Sequence, residues 1–476
     1  MKTFVREKYG DGITKSNAIL DVIRKRNMVE PEKSKLVSFL QTLRTETFGS
    51  PTISSNELRT WCTERKQIPE CDDDVYMLDF YIRADSTNVD DQDVKVVMST
   101  CRLVSLCRKS SMVQADATYK LVWQGYPILI VGTSDMNNVF HPYALAITKG
   151  DTKEDFSFIF RALHEADLEW QPSILLADGS QAITNAFLAV FHVLDVRLMC
   201  SFHFHKNVET YIRPLKHVYA KIKADIYVLQ TCSDRDMFEK ASSLFLQKWR
   251  KENHDGVRDF LDYFEKEWLR NFPNWYEGAA PGYPSTNNGL ESTNAIIKKE
   301  QTLRERLPLN QFLAGAVNLV GKWLRRCNPT SINCAEFATT RSISLQLWIC
   351  ACQWATSNVP VLQREMDDCT EYFISPSEAD TPITARMLAK FERRTGKWTN
   401  FDDFKTWHRE IWKVAVYPTH HTCTCPTFVK RQQCKHGVGM QIRRKEVVVP
   451  LEAKNVPLGQ KRKRGRPSKA KKALLI

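Results

Sequence analysis

The stretch MVQADATYKLVW, Met112 to Trp123, places a carboxylate, Asp116, inside a run with strand character. Downstream, Pro127 to Thr133 and Tyr143 to Thr148 repeat that character, and the turn signals Gln124-Gly125 and Asn137-Asn138 separate them. Three adjacent strands are predicted. Lys153 to Glu169 then carries Phe156, Ile159, Phe160 and Leu163 at helical spacing. Ser173 to Asp178 is a short apolar strand ending on a second carboxylate. A helix from Ala182 to Phe191, a strand from Val196 to Cys200 and a helix from His203 to Leu215 follow. Asp135 and Asp151 fall between these elements and read as solvated loop residues.

Three strands, helix, strand, helix, strand, helix is the order of a ribonuclease-H-like α/β fold. Tyr219 to Trp275, rich in Lys, Glu, Phe and Trp, reads as nearly continuous helix. It predicts an all-helical insertion at about 218–280, with the fold resuming near Thr286. The chain then divides into an N-terminal helical region of unassigned role (1–95), the α/β core (96–330), a helical connector (331–400), a small module (407–445) and a basic tail (461–472). No internal repeat is present.

The 476 residues are 43% hydrophobic, enough for two or three packed domains. The net charge is +13, and the last sixteen residues hold eight Lys or Arg and no acid, so only +5 belongs to the other 460. Such a tail favours a polyanion. No apolar run approaches the roughly 18 residues that span a bilayer, so no membrane is expected. The start, MKTFVREKYGDG, lacks the apolar core of a secretory signal. A reducing compartment is therefore expected, and the fourteen cysteines read as thiols or metal ligands rather than disulfides.

In the expected sheet the strands bearing Asp116 and Asp178 are neighbours. Two convergent carboxylates repel unless a divalent cation lies between them, which points to Mg²⁺ or Mn²⁺. A third carboxylate would come from the helix after Pro284 to Asn288, which offers Glu291 and Glu300. These are nine residues apart on opposite helix faces, and spacing alone leaves the choice open.

DATYKL, LLADGSQAITNAF, CSFH at Cys200 to His203 and TNNGLESTN together resemble the core of Mutator-like element (MULE) transposases over about Val96 to Asn328. The resemblance implies a DDE-type acidic triad at Asp116, Asp178 and Glu291, holding Mg²⁺ or Mn²⁺. It also implies a Cys-x-x-His pair at Cys200 and His203, the imidazole lying near the scissile phosphate. The implied chemistry is metal-assisted cleavage and joining of DNA. The family often assembles as homo-oligomers, and many members carry an N-terminal zinc finger, for which residues 1–95 show no pattern.

In CTCPTFVKRQQCKH, Cys423 and Cys425 are one residue apart, as are Cys434 and His436. Two extended Cys-x-Cys and Cys-x-His pairs would present four ligands to a closed tetrahedral zinc site. The pattern is similar to the SWIM-type zinc finger. Cys350 and Cys352 share the spacing but read as helix, where i and i+2 diverge, and are expected to be buried thiols. Lys430, Arg431, Lys435, Arg443 and Arg444 surround the zinc pattern with positive charge. In the tail, Arg464, Gly465, Arg466 and Pro467 look like an AT-hook, which tracks an A·T-rich minor groove. The same basic cluster reads as a nuclear import signal.

The expectation is a nuclear DNA transposase acting on A·T-rich DNA or transposon ends. A second reading is a domesticated transposase that has lost catalysis and regulates transcription by binding DNA. A plain ribonuclease-H-type nuclease would leave the zinc pattern and hook without a role.

Overall fold

The computed structural model describes residues 1–83, 92–301, 306–327, 336–357, 359–376 and 382–454. The chain divides into two compact units, Met1–Arg341 and Ser342–Ile476.

The first unit is built on a mixed sheet of seven strands: β1 (Tyr76–Arg83), β2 (Asp93–Ser99), β3 (Met112–Thr118), β4 (Ile128–Ser134), β5 (Phe140–Thr148), β6 (Ile174–Ala177) and β7 (Val196–Met199). Their spatial order is β1-β2-β5-β4-β3-β6-β7. The β3–β6 and β6–β7 pairs are parallel and all others antiparallel. Every residue of β4 is buried, so the sheet is covered on both faces there, which explains why its first half, ILIV, is continuously apolar rather than alternating.

Four helices precede the sheet: α1 (Lys2–Gly10), α2 (Ser16–Lys25), α3 (Lys33–Phe48) and α4 (Ser55–Thr63). The first three pack on one another through Val5, Ile19, Ile23, Leu36 and Leu43. A short α5 (Cys101–Ser105) links β2 to β3. The expected amphipathic stretch forms α6 (Lys153–Ala166), opened by a capping box between Thr152 and Asp155. Its predicted stripe, Phe156, Ile159, Phe160 and Leu163, is at most 1% exposed. Each such side chain contributes roughly 1.5–3 kcal/mol relative to exposure. Helix α7 (Gln181–Phe191) lies against α6, and α8 (Ser201–Ile212) leaves the end of β7.

Several sequence expectations are corrected here. The first predicted strand stops at Thr118, because Lys120 takes a left-handed conformation, φ 68°. Residues 1–95 are not all helical: β1 and the start of β2 extend the sheet upstream of Val96. The stretch from Tyr219 is broken into α9 (Tyr219–Gln230), α10 (Arg235–Trp249) and α11 (Asp255–Phe264), followed by a π-helical turn, Glu265–Asn271. Asp234 causes one of these breaks by capping α10 through its side chain. The chain returns to the sheet through α12 (Asn288–Ile296) and α13 (Leu309–Cys327).

In the second unit, β8 (Leu362–Glu365), β9 (Thr370–Ile374), β10 (Trp412–Val416) and β11 (His421–Cys423) form an antiparallel sheet ordered β11-β10-β9-β8. It is accompanied by α14 (Leu345–Thr356), α15 (Ala385–Arg394), α16 (Phe401–His408), α17 (Pro426–Arg431), α18 (Lys435–Arg443) and α19 (Leu451–Lys454). The segment 331–400 is therefore not simply a helical connector, since it supplies half of this sheet. Cys350 and Cys352 do lie on helix, in α14, and are partly exposed rather than buried. The described cysteines are free thiols, and among the described residues no helix is long and apolar enough to cross a membrane.

Candidate active site and metal centre

The parallel register of β3 and β6 brings the two aspartates together. Gln114 pairs with Leu176, and two residues further along each strand stand Asp116 and Asp178. Asp178 leaves the strand and accepts from the Ser180 N–H at 2.9 Å, which holds one of its carboxylate oxygens. Behind it, the half-buried Arg197 donates from its guanidinium to the Asp178 and Ala177 carbonyls and, at 2.8 Å, to the Thr184 hydroxyl. Burial pulls the Arg197 guanidinium down to about 10, against the attraction of Asp178 and Cys200.

Glu291 comes from the first turn of α12, which packs on β3, β4 and β5. Gly289 permits that approach: a Cβ there would come within 2.7 Å of Phe140 Cβ. One turn beyond Glu291, Asn294 is 7% exposed and donates from Nδ2 to Asp116 Oδ2 at 2.9 Å. Asp116 is pushed up to about 7, by burial first and then by the charges of Asp178 and Glu291; the Ala117 N–H and Lys298 oppose the rise. The parallel register of β3 and β6, and the Asn294 bond from the helix of Glu291 to Asp116, gather the three carboxylates at the end of the sheet where β3, β6 and β7 all terminate. The side chain of Glu300 lies outside the described residues.

The other two elements of the site come from the β7–α8 junction. His203 Nε2 is 3.7 Å from Glu291 Oε1. The donor atoms of Cys200, His203 and Glu291 lie within 4.8 Å of one another. Cys200 is raised by burial, and its sulfur accepts from the Asn287 N–H at 3.3 Å. His203 Nδ1 and Glu291 Oε1 are both buried without a hydrogen-bond partner among the described residues.

Asp135 and Asp151 divide differently from their expected reading. Asp151 is exposed and accepts from the Tyr119 hydroxyl. Asp135 is only 4% exposed and is bound by His141 Nε2 at 3.1 Å and by the N–H groups of Asn137, Val139 and Ala338. The fold uses it to close the β4–β5 turn. Asn294 is the site residue that sequence reasoning missed; its signal was its place three residues after Glu291, on the same helix face.

In the second unit Cys423, Cys425, Cys434 and His436 are all buried, with donor atoms within 4.8 Å of one another. The local geometry differs from two extended pairs. Cys423 ends β11, whereas Cys425 and Cys434 are the N-caps of α17 and α18, and His436 lies in the first turn of α18. Each capping sulfur accepts a backbone N–H at 3.4 Å, from Phe428 and Gly437 respectively. Two helix N-termini thus face the cluster and favour negative charge on sulfur. Burial pushes the Cys423 thiol up. Hydrogen bonds from Cys423 and Cys434 pull Cys425 down. Cys434 reaches about 12: its bond with Cys423 lowers it, but the bond with Cys425 and burial outweigh that. Trp354 and Trp412 flank the His436 ring at 5.5 and 5.2 Å. Three sulfurs and an imidazole nitrogen form a donor set compatible with zinc.

The expected basic surround is partly structural. Arg443 donates to the carbonyls of Trp354, Ala355, Ser357 and Val359, closing the C-terminal end of α14. Arg444 bonds Tyr372, Thr370 and Glu446. Lys430 and Arg431 are exposed on α17. His421 is packed against Gly437, and His420 is exposed and stacks on Tyr417 at 4.5 Å. Arg464, Gly465, Arg466 and Pro467 lie outside the described residues.

The family description MULE transposase domain matches residues 112–207, the segment from β3 into α8. It contains Asp116, Asp178, Cys200 and His203, and Glu291 lies beyond it. The match supports a transposase-type function for this α/β unit, and a transposase domain implies DNA binding and the use of divalent metal ions. No curated protein matches the chain.

Proposed function

We propose that this chain is a DNA transposase of the Mutator-like type, with a ribonuclease-H-like core, that cuts and joins DNA through Asp116, Asp178 and Glu291. The observation that carries this reading is the convergence of the three carboxylates at one end of the sheet: Asp116 and Asp178 at the ends of strands that the MULE match spans, and Glu291 on α12 beyond it. The donor set fits hard divalent ions. Burial, and after it the like charges of Asp178 and Glu291, push Asp116 up to about 7, and Glu291 Oε1 is buried without a hydrogen-bond partner among the described residues. Asp116, Asp178 and Glu291 would hold Mg²⁺ or Mn²⁺. When bound, such ions supply charge neutralisation and an activated hydroxyl for phosphoryl transfer.

The protein's own groups supply position. Asn294 fixes one oxygen of Asp116, the Ser180 N–H fixes one of Asp178, and half-buried Arg197 anchors the turn that carries Asp178. His203, beside Glu291, is placed to donate to a phosphate oxygen. In the second unit, Cys423, Cys425, Cys434 and His436 are proposed to hold structural zinc as a SWIM-type finger. The tail, with Arg464, Gly465, Arg466 and Pro467, is proposed as an AT-hook and nuclear import signal.

The test is Mg²⁺- or Mn²⁺-dependent cleavage and strand transfer on A·T-rich duplexes and candidate element ends, comparing the intact chain with Asp178→Asn. Activity in the intact chain that Asp178→Asn abolishes is expected. DNA binding with no cleavage in either protein would sink the enzyme reading in favour of a DNA-binding derivative.

A further inference from the structure

Three strand ends stand side by side at the carboxylate cluster, and two of them carry an exposed aromatic ring. Tyr119 directly follows β3 and is 43% exposed; Phe202, in the first turn of α8 just beyond β7, is 48% exposed. Asp178 leaves β6 between them. Strands two places apart are separated by roughly 10 Å at a spacing near 4.8 Å per strand. Large exposed rings have an energetic cost in water, and here both are held. The Tyr119 hydroxyl donates to Asp151, and the left-handed Lys120 turns the chain immediately after it. Phe202 meets the His203 ring edge to face at 5.6 Å. Tyr119 stands three residues after Asp116, just past the end of β3. An exposed lysine accompanies each ring: Lys120 next to Tyr119, and Lys206 one helical turn from Phe202.

Aromatic faces alternating with cationic side chains are what unpaired nucleic acid strands require, since every base has a face to stack and every linkage a charge to neutralise. A paired duplex offers no free base face. We infer that Tyr119 and Phe202 form a stacking site for unpaired nucleobases of a DNA strand, one on each side of the phosphate presented to Asp178. The site makes the chain prefer a frayed or overhanging end to an intact duplex. This rests on the proposed DNA-cleaving function and adds the form of DNA that it takes.

The experiment uses the full chain at fixed salt, with a blunt duplex and the same duplex bearing a short 3′ or 5′ overhang that contains 2-aminopurine. Overhang DNA is expected to bind about tenfold tighter, with 2-aminopurine fluorescence quenched on binding. The double variant Tyr119→Leu, Phe202→Leu should bind overhang and blunt DNA equally and leave the fluorescence unquenched. Tyr119→Phe and Phe202→Tyr should each retain both effects, because they keep the ring. An overhang preference that survives the double leucine variant overturns the assignment, as does equal binding of both DNAs by the unmodified chain. In either case the DNA-cleaving reading stands, whereas no binding to either DNA removes both.

Discussion

Asn294 Nδ2 lies 2.9 Å from Asp116 Oδ2, and this bond ties the helix that carries Glu291 to the strand that carries Asp116. The amide is nearly buried and comes from the same helix face as Glu291, so it sets both the spacing of the two carboxylates and the orientation of one. Groups that orient metal ligands typically influence affinity by 10- to 100-fold. Asn294→Leu is therefore expected to weaken Mn²⁺ binding roughly tenfold, with the fold intact by circular dichroism. Calorimetric titration with Mn²⁺ reads this directly. Unchanged affinity would show that the bond merely ties helix to sheet.

The residues legible in the sequence are those whose pattern is local. Asp178 closes an apolar tetrapeptide, and the stripe from Phe156 to Leu163 repeats every three to four residues, so both are recovered where expected. Strand β1 was missed because Tyr76 to Arg83 lies at the sheet edge and mixes Asp79 and Arg83 among its aromatics, which blurs any two-residue alternation. Strands β8 and β9 escaped for a related reason. Their charges are consumed by pairing across the hairpin, Arg364 to Glu371 at 2.6 Å, so no two-residue alternation stands out and the stretch reads as part of a helical connector. Asp135 looked solvated because its partner His141 is on the next strand, and a cross-strand bond leaves no local signal. The one-residue gap between Cys434 and His436 fits a helix cap as well as an extended strand, so spacing alone does not set the local geometry.

Cys434 has two separable jobs, capping α18 and contributing to the sulfur cluster. Serine is a good N-cap, so Cys434→Ser keeps the first and removes the second. The unmodified protein is expected to contain one equivalent of zinc by elemental analysis, and Cys434→Ser none. Because structural zinc supplies folding free energy of about 10 kcal/mol or more, chelation or the substitution should melt the second unit well below the first. A metal-free protein with unaltered melting would exclude a structural zinc site.

Arg443 and Lys430 are both basic residues beside the sulfur cluster, but they answer to different demands. Arg443 satisfies carbonyls of Trp354, Ala355, Ser357 and Val359 and lies over the Trp354 ring at 4.4 Å. Hydrogen bonds to charged groups contribute about 1.5–3 kcal/mol, and truncation leaves several acceptors without their donor. Arg443→Leu should lower stability by about 2–4 kcal/mol in urea unfolding. Lys430→Ala, on an exposed position, should stay within about 0.5 kcal/mol. Equal effects from the two would contradict the assignment of Arg443 to the helix end.

The last prediction concerns acid. Burial acts to raise Asp135, but the His141 contact and the N–H groups of Val139 and Ala338 outweigh it, and its folded pKa lies below the ordinary 3.8. A carboxylate whose pKa is depressed by folding binds its proton less tightly in the native state than in the unfolded chain. Its stabilisation is therefore fully present above the unfolded value of about 4 and is lost as pH falls through that value toward the folded one. Asp135→Asn keeps the side-chain shape and an oxygen for the Asn137 and Val139 N–H groups, gives up the oxygen that faces Ala338 N–H and His141, and cannot titrate. The variant should be less stable than the parent at pH 6, and the gap should narrow as pH falls from about 4 toward 3. Parallel stability profiles across that range, measured by chemical denaturation, would mean that the charge of Asp135 does not contribute to closing the turn between β4 and β5.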